Sequence, residues 1–306
     1  MPFFRILTSV IFPVFFIIAA GYFVQKRLRF DVSGLTKVIF YILIPPLIFS
    51  RIYQSSLSAG EYGITVLFTF CIVTVMGLLT FPVSAIRGYS APMRSAFALS
   101  VMFYNSGNYG LPVVELLFHQ NPAATSIQAV VLAVQNITTF TAGIFIVSRG
   151  RRTYGESFRT VLRYPLIYSV ALALLLKWFR IPVWEPLWEP INRLASALVP
   201  VALLTLGAQL ARIRLTSSIV DVALSGFFRL ILAPLTGLAA VSLLPVSGMN
   251  AQVLVISASM PTAVNTALLA IELKNEPQFA SQAVFFSTLF SIATVSVVIY
   301  AVTALL

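Results

Sequence analysis

Long apolar runs alternate with short polar breaks along the whole chain, and each run is close to the length of a membrane-spanning helix. Crossing the hydrocarbon core takes about 20 predominantly apolar residues. Ten spans are predicted: Ile6–Gln25, Thr36–Gln54, Ile64–Ile86, Met93–Phe118, Thr125–Val147, Pro165–Phe179, Leu194–Ala211, Val220–Leu244, Ala251–Leu273 and Phe279–Ala304. The sixth is the shortest, and no loop has room for a soluble domain. The pattern predicts an all-α integral membrane protein with about ten transmembrane helices, not a soluble globular enzyme. The first run is too long for a signal-peptide core of about 7–15 residues and ends in Lys26, Arg27 and Arg29, the wrong flank for cleavage.

Composition agrees. Hydrophobic residues make up 59% of the 306 positions and charged residues 9%, against about 25% charged in a typical soluble domain. A soluble surface cannot be covered with so few charges. The net charge of +11 does not point to nucleic acid, because the basic residues sit in short clusters between apolar runs. The lone Cys71 excludes a disulfide within the chain, and the lone His119, read as an interfacial loop residue, has no partners at metal spacing. No metal site and no cofactor is expected.

The basic clusters also set the orientation. With the N-terminus and every second loop taken as one face, that face holds Arg5, Arg51, Lys177, Arg180 and Arg193. The other face holds fourteen Lys and Arg, among them Lys26, Arg27, Arg29, Arg151 and Arg152, and Arg229 lies inside a span. Lys and Arg concentrate on the cytoplasmic side, so both termini are expected outside, in a multi-pass protein of the cell membrane.

The two halves of the chain match. Pro13 pairs with Pro165, Pro45 with Pro200, and Gln128-Ala129-Val130 with Gln282-Ala283-Val284, at offsets of 152, 155 and 154. Residues 1–147 and 164–306 are therefore expected to be two five-helix repeats joined by a short basic cytoplasmic loop, 148–163. Five is odd, so the second copy inserts upside down, a signature of secondary transporters.

The fourth span contains Asn105-Ser106-Gly107-Asn108-Tyr109-Gly110-Leu111-Pro112 and the ninth Ser259-Met260-Pro261-Thr262-Ala263-Val264-Asn265-Thr266. Proline and glycine at this density oppose a continuous helix. Broken backbone at membrane depth survives only when buried in protein or lining a cavity. Two broken spans at corresponding positions of inverted halves point to a transporter binding site, and half-helix N-termini there suit an anion. The plain alternative is that these residues merely kink two helices.

The stretches "NSGNYGLP", "MPTAVNT", "LIPPLIFS" and "VPVALLTLGAQL" resemble the auxin efflux carrier family, which includes plant auxin carriers and bacterial permeases annotated for malate or malonate. The resemblance covers the whole chain. It implies two inverted five-helix repeats, a scaffold domain, and a transport domain whose fourth and ninth spans cross at their breaks. It also implies a fold shared with bile-acid sodium symporters and sodium/proton antiporters, and frequent homodimers. The long central loop of many plant members is missing, since only Ser148 to Arg163 occupies its place.

The candidate substrate contacts are Asn105, Gly107, Asn108, Tyr109, Gly110 and Pro112 at the first break and Pro261, Thr262 and Asn265 at the second. Gln135 and Asn136 in the fifth span and Ser50 at the end of "LIPPLIFS" complete the set. Gln135 and Asn136 also admit a plain role in interhelical hydrogen bonding. Glu115 and Arg229 are candidate coupling or charge partners, and Arg229 also admits snorkelling to the interface. Trp184 and Trp188, with Pro182, Pro186 and Pro190, are read as an outer loop with aromatic anchors. The expected function is secondary transport of a small organic anion by alternating access in the lipid bilayer. Coupling to H+ or Na+ and facilitated diffusion stay open. The alternative is a non-transporting membrane sensor or scaffold. An intramembrane enzyme lacks a Ser/His pair, an HExxH motif and paired aspartates, and no P-loop for a primary pump occurs.

The charge asymmetry makes a direct prediction. With Cys71 replaced, a cysteine introduced by Ser157→Cys should resist an impermeant thiol reagent in intact cells and react after permeabilisation. Labelling in intact cells reverses the orientation.

Overall fold

The computed structural model describes residues 3–148, 162, 164–213 and 218–306. The predicted basic loop, apart from Ser148 and Leu162, lies outside the described residues. In chain order the helices are α1 (Phe3–Leu28), α2 (Val32–Gln54), α3 (Ala59–Ile86), α4 (Ala91–Met102), α5 (Leu111–Leu117), α6 (Pro122–Val147), α7 (Pro165–Trp178), α8 (Glu185–Leu210), α9 (Ile219–Leu243), α10 (Gly248–Ala258), α11 (Val264–Glu272) and α12 (Pro277–Leu305). Seven of them are long and apolar enough to cross a membrane. The protein is an all-helical integral membrane protein with several spans.

Capping residues set several helix starts earlier than hydropathy predicts. Asp31 accepts from the amides of Ser33 and Gly34 and starts α2 at Val32. Ser58 and Glu61 form a reciprocal capping box that starts α3 at Ala59. Asn250 Nδ2 donates to the other oxygen of Glu61 (2.6 Å), which ties α3 to α10. The expected outer loop around the tryptophans is corrected: Trp188, Pro186 and Pro190 lie within α8, with Trp184 as its N-cap. A proline in the first turn costs no hydrogen bond, and Trp188 packs on Phe49 and Tyr53 of α2. Polar residues carry this part of α8, including the pair Arg193–Glu189 at 2.6 Å, so a hydropathy reading stops short of it.

Four prolines within spans share one local solution. The residues before Pro13, Pro45, Pro112 and Pro234 are Phe12, Ile44, Leu111 and Ala233. Each donates its amide five residues back, to the carbonyls of Leu7, Ile39, Ser106 and Phe228. Proline lacks an amide hydrogen and crowds the carbonyl four residues earlier. Widening the preceding turn by one residue relieves that clash while the helix continues. A fifth widened turn, Thr139–Gly143 in α6, has no proline behind it. Such turns occur often at functional sites.

Two groups of helices emerge from the packing. α1, α2, α7 and α8 pack on one another, chiefly α1 on α8 and α2 on α7 and α8. α3, α4, α6 and α9 to α12 form the second group. The groups meet where α2 lies on α6 and where α8 meets the turn Ser106–Gly110. In the first group α1 and α8 touch backbone to backbone. A Cβ at Gly207 would lie 1.9 Å from the Ile18 carbonyl oxygen, and one at Gly21 would lie 2.1 Å from that of Leu204. Small residues allow this kind of approach between helices in lipid.

Gly207→Ala should therefore force α1 and α8 apart and destabilise the protein by about 1–3 kcal/mol. Gly63→Ala in α3, where an added Cβ meets nothing within 4 Å, should be neutral or slightly stabilising. Thermal unfolding of the two variants in detergent measures the contrast, and equal midpoints refute the close approach.

Candidate functional site

The two broken segments satisfy each other. After α4 the chain extends through Phe103 to Asn105, and after α10 through Ser259 to Ala263. Tyr104 and Thr262 pair as an antiparallel bridge. The amide of Asn105 donates to the carbonyl of Pro261 (2.8 Å), and that of Ala263 to Phe103 (3.0 Å). Thr262 Oγ1 donates to the carbonyl of Ser100 (2.8 Å), while its amide donates to Ser287 Oγ of α12 (3.1 Å). Asn105 Oδ1 accepts the Asn108 amide (3.1 Å) and starts the helical stretch that runs into α5. Gln128 of α6 braces the crossing from below. Its Nε2 donates to the carbonyl of Ser106 (2.7 Å), and its Oε1 accepts from Ser257 Oγ of α10.

Four helix ends converge here. The carbonyl ends belong to α4 and α10, and the amide ends to residues 106–117 and α11. Arg229 of α9 serves the carbonyl ends. Its side chain is fully buried, and Nη1 donates to the Val101 carbonyl at 2.8 Å. Nη2 donates to the carbonyl of Ala258. The guanidinium carbon lies 5.0 Å from the centre of the Tyr104 ring.

The amide ends face a small cavity. It is lined at the breaks by Tyr104, Asn105, Ser106, Gly107, Asn108, Ala263, Val264 and Asn265. Leu132, Gln135, Asn136 and Thr139 of α6 and Phe40 and Ile44 of α2 close the wall. Three widened turns, at Ile39–Leu43, Ser106–Gly110 and Thr139–Gly143, contribute to this wall. Asn265 Nδ2 donates to Asn136 Oδ1 (3.3 Å). No protein group completes a hydrogen bond with Nδ2 of Asn105, Nδ2 of Asn136 or either amide atom of Gln135. Unpaired buried amides are costly, so four such atoms around one cavity mark a place for a polar guest. The free volume is ≈ 20 Å³, enough for water and too small for an organic acid. A larger hollow of ≈ 220 Å³, with Lys37, Tyr41, Tyr164 and Glu272 in its wall, shares Phe40 and Asn265 with the cavity. In the wall of the hollow the rings of Phe140 and Tyr164 stack (4.6 Å between centres), and Phe40 meets Phe140 edge-on.

Of the sequence candidates, Asn105, Gly107, Asn108, Gln135, Asn136 and Asn265 come together in the cavity wall. Pro261 and Thr262 lie in the crossing itself. The Tyr109 hydroxyl accepts from Ser291 Oγ of α12 (2.9 Å), and its ring meets Phe15 of α1. Gly110 and Pro112 continue the helical stretch behind the break, with Gly110 against the Gln128 amide. Ser50 Oγ donates to the Leu47 carbonyl within α2 (3.0 Å). Glu115 sits away from the cavity and pairs with Arg51 at 2.9 Å. From the sequence, Gln128 was legible only as a repeat marker, and Phe40 and Tyr104 had no assigned place at the site. A lone glutamine in the apolar run of α6 was the available signal for the first. The aromatic positions carry no signal without the packing.

At the opposite end of the second group, Asp221 of α9 accepts from Arg87 Nη2 (2.8 Å) and from the Tyr89 hydroxyl (2.7 Å). Burial first, and then the Asp221 acceptor, push the Tyr89 hydroxyl up to about 12. It therefore stays a donor across physiological pH and fixes the turn between α3 and α4 against α9.

Comparison with known proteins adds two findings. The family model described as membrane transport protein matches residues 6–161 and 151–299. An uncharacterized transporter of Methanothermobacter thermautotrophicus is 26% identical over 269 residues, covering 86% of this chain and 87% of the relative. An uncharacterized transporter of Methanocaldococcus jannaschii is 23% identical over 269 residues, with the same 86% and 87% coverage.

The bracing and lining glutamines should separate experimentally. Gln128→Ala removes two hydrogen bonds that tie α6 to the crossing, although the Ser106 carbonyl keeps the Leu111 amide and Ser257 Oγ keeps the Val253 carbonyl, and should cost about 1–3 kcal/mol of stability. Gln135→Ala removes a group with no protein partner and should leave the thermal midpoint within error. A larger loss at Gln135 contradicts this division of roles.

Proposed function

The chain belongs to the membrane transport protein family, the auxin efflux carriers whose motifs it resembles, and we propose that it is a secondary transporter of a small organic anion. The reading rests on one observation above all: unpartnered buried amides and two helix N-termini converge on a cavity at the crossing of two broken helices. Neutral amides and helix dipoles bind a carboxylate without the grip of a contacting arginine, so release stays fast. The ten-span, inverted five-helix repeat is the architecture proposed, with both termini outside and residues 148–163 in the cytoplasm. α1, α2, α7 and α8 form the scaffold, and the group built on the crossing moves against it. α2 of the scaffold supplies Phe40 and Ile44 to the cavity wall, so relative movement of the groups opens and closes the site. The hollow beside Lys37 is the cytoplasmic vestibule, and the Phe40, Phe140 and Tyr164 rings are its gate. The protein works as a homodimer in the cell membrane.

Thermal shift with malonate, malate, benzoate and indole-3-acetate, followed by uptake of the stabilising acid into proteoliposomes, tests the proposal. At least one acid should stabilise and be carried, and its methyl ester should do neither. Asn108→Ala, Asn265→Ala and Gln135→Ala should each lower uptake about tenfold or more while folded protein persists, the loss of a hydrogen bond to a charged group. Esters that compete as well as the free acids overturn the anion reading. Binding without flux favours a sensor.

A further inference from the structure

Arg229 is the one charged side chain buried at the crossing among the described residues, and the anion site does not use it as a contact. A guanidinium inside a membrane span is expensive and persists only with partners. Its partners here are neither carboxylates nor solvent. They are carbonyls in the last turns of two separate half-helices, Val101 in α4 and Ala258 in α10, with the face of Tyr104 alongside.

The charge balance of the crossing follows. Each helix C-terminus is equivalent to roughly −0.5 of an elementary charge and each N-terminus to roughly +0.5. Four ends alone cancel. Arg229 adds a full positive charge at the carbonyl pair, so the two amide ends facing the cavity are left with about +1 between them. That matches one carboxylate. Carbonyls at the ends of interrupted helices are also the usual ligands of a coupling cation in secondary transporters. We propose that Arg229 is a resident cation: it occupies the two carbonyl ends that a sodium ion would otherwise take, so the anion site is charge-balanced without sodium. Arg229 is a positioning residue, acting through the crossing and not by touching substrate. The inference rests on the transport reading above and deepens it by making the site independent of a sodium gradient.

The test is made on the purified full-length chain and needs no substrate. In wild type the thermal midpoint should be the same in sodium, potassium and choline chloride at equal concentration. Arg229→Ala should lower it, and sodium or about 10 mM guanidinium, but not choline, should restore roughly 3–5 °C in a saturable way. A variant merely lacking packing would not distinguish these cations. Arg229→Lys keeps the charge and should need no added cation. Saturable stabilisation of wild type by sodium overturns the proposal, and so does a folded Arg229→Ala protein indifferent to all cations. Should Arg229→Ala not fold, the wild-type comparison decides alone. Should no organic acid bind wild type, the anion reading fails while the cation measurements still decide on Arg229.

Discussion

A backbone amide or carbonyl without a partner costs several kcal/mol in hydrocarbon, and the whole molecule is arranged around two places where the chain has stopped being a helix. Phe103 to Asn105 and Pro261 to Ala263 solve the problem by pairing with each other. Neither break is tenable alone. The pairing fixes α4, the 106–117 stretch, α10 and α11 as one unit, and side chains from three further helices complete it: Gln128 of α6, Arg229 of α9 and Ser287 of α12. The second group of helices is thus defined by the need to satisfy the breaks.

Once the breaks are satisfied, several buried amides at the cavity are left without protein partners. The carbonyl ends are taken by Arg229, whereas the amide ends open toward Asn105, Gln135 and Asn136, whose amides lack protein partners. A binding cavity is in this sense the residue of incomplete hydrogen bonding. The first group contributes Phe40 and Ile44 of α2 to its wall, an apolar cover.

Much of this was written in the sequence because the breaks are made by residue types with strong backbone consequences. Asn105, Gly107, Asn108, Asn136, Gln135 and Asn265 were legible as polar or glycine positions at membrane depth, and all six line the cavity. Partnership was not legible. Arg229 read as a coupling or charge partner or a snorkelling residue, and its actual partners were not legible because main-chain carbonyls leave no trace in side-chain pattern. Glu115 read as a coupling acid or a charge partner, and which cation it meets was not legible because Arg51 lies 64 positions earlier. Helix ends were missed where polar caps extend a helix past its apolar run, as Ser58 with Glu61 does for α3. The tryptophan-proline stretch of α8 looked like a loop because Pro186 was weighed without its place in the first turn, and Pro190 is carried inside the helix.

The boundary between the two groups is not uniform along its length. Where α2 ends, polar ties cross it: Arg51 pairs with Glu115 of α5, Ser126 Oγ of α6 donates to the Arg51 carbonyl (2.9 Å), and the Tyr62 hydroxyl of α3 donates to that of Ile52 (3.3 Å). Lys177 of α7 reaches the carbonyl of Ser55 and stands over the Tyr62 ring. Near the start of α2 the rings of Phe40, Tyr41, Phe140 and Tyr164 meet across a hollow of ≈ 220 Å³. Apolar ring contacts are non-directional and re-form after sliding, whereas an ion pair with a buried carboxylate holds one geometry. The half-buried Arg51–Glu115 pair holds the end of α2 to α5, whereas ring contacts hold the start of α2. The boundary is thus held by charge at one end of α2 and by aromatic packing near the other.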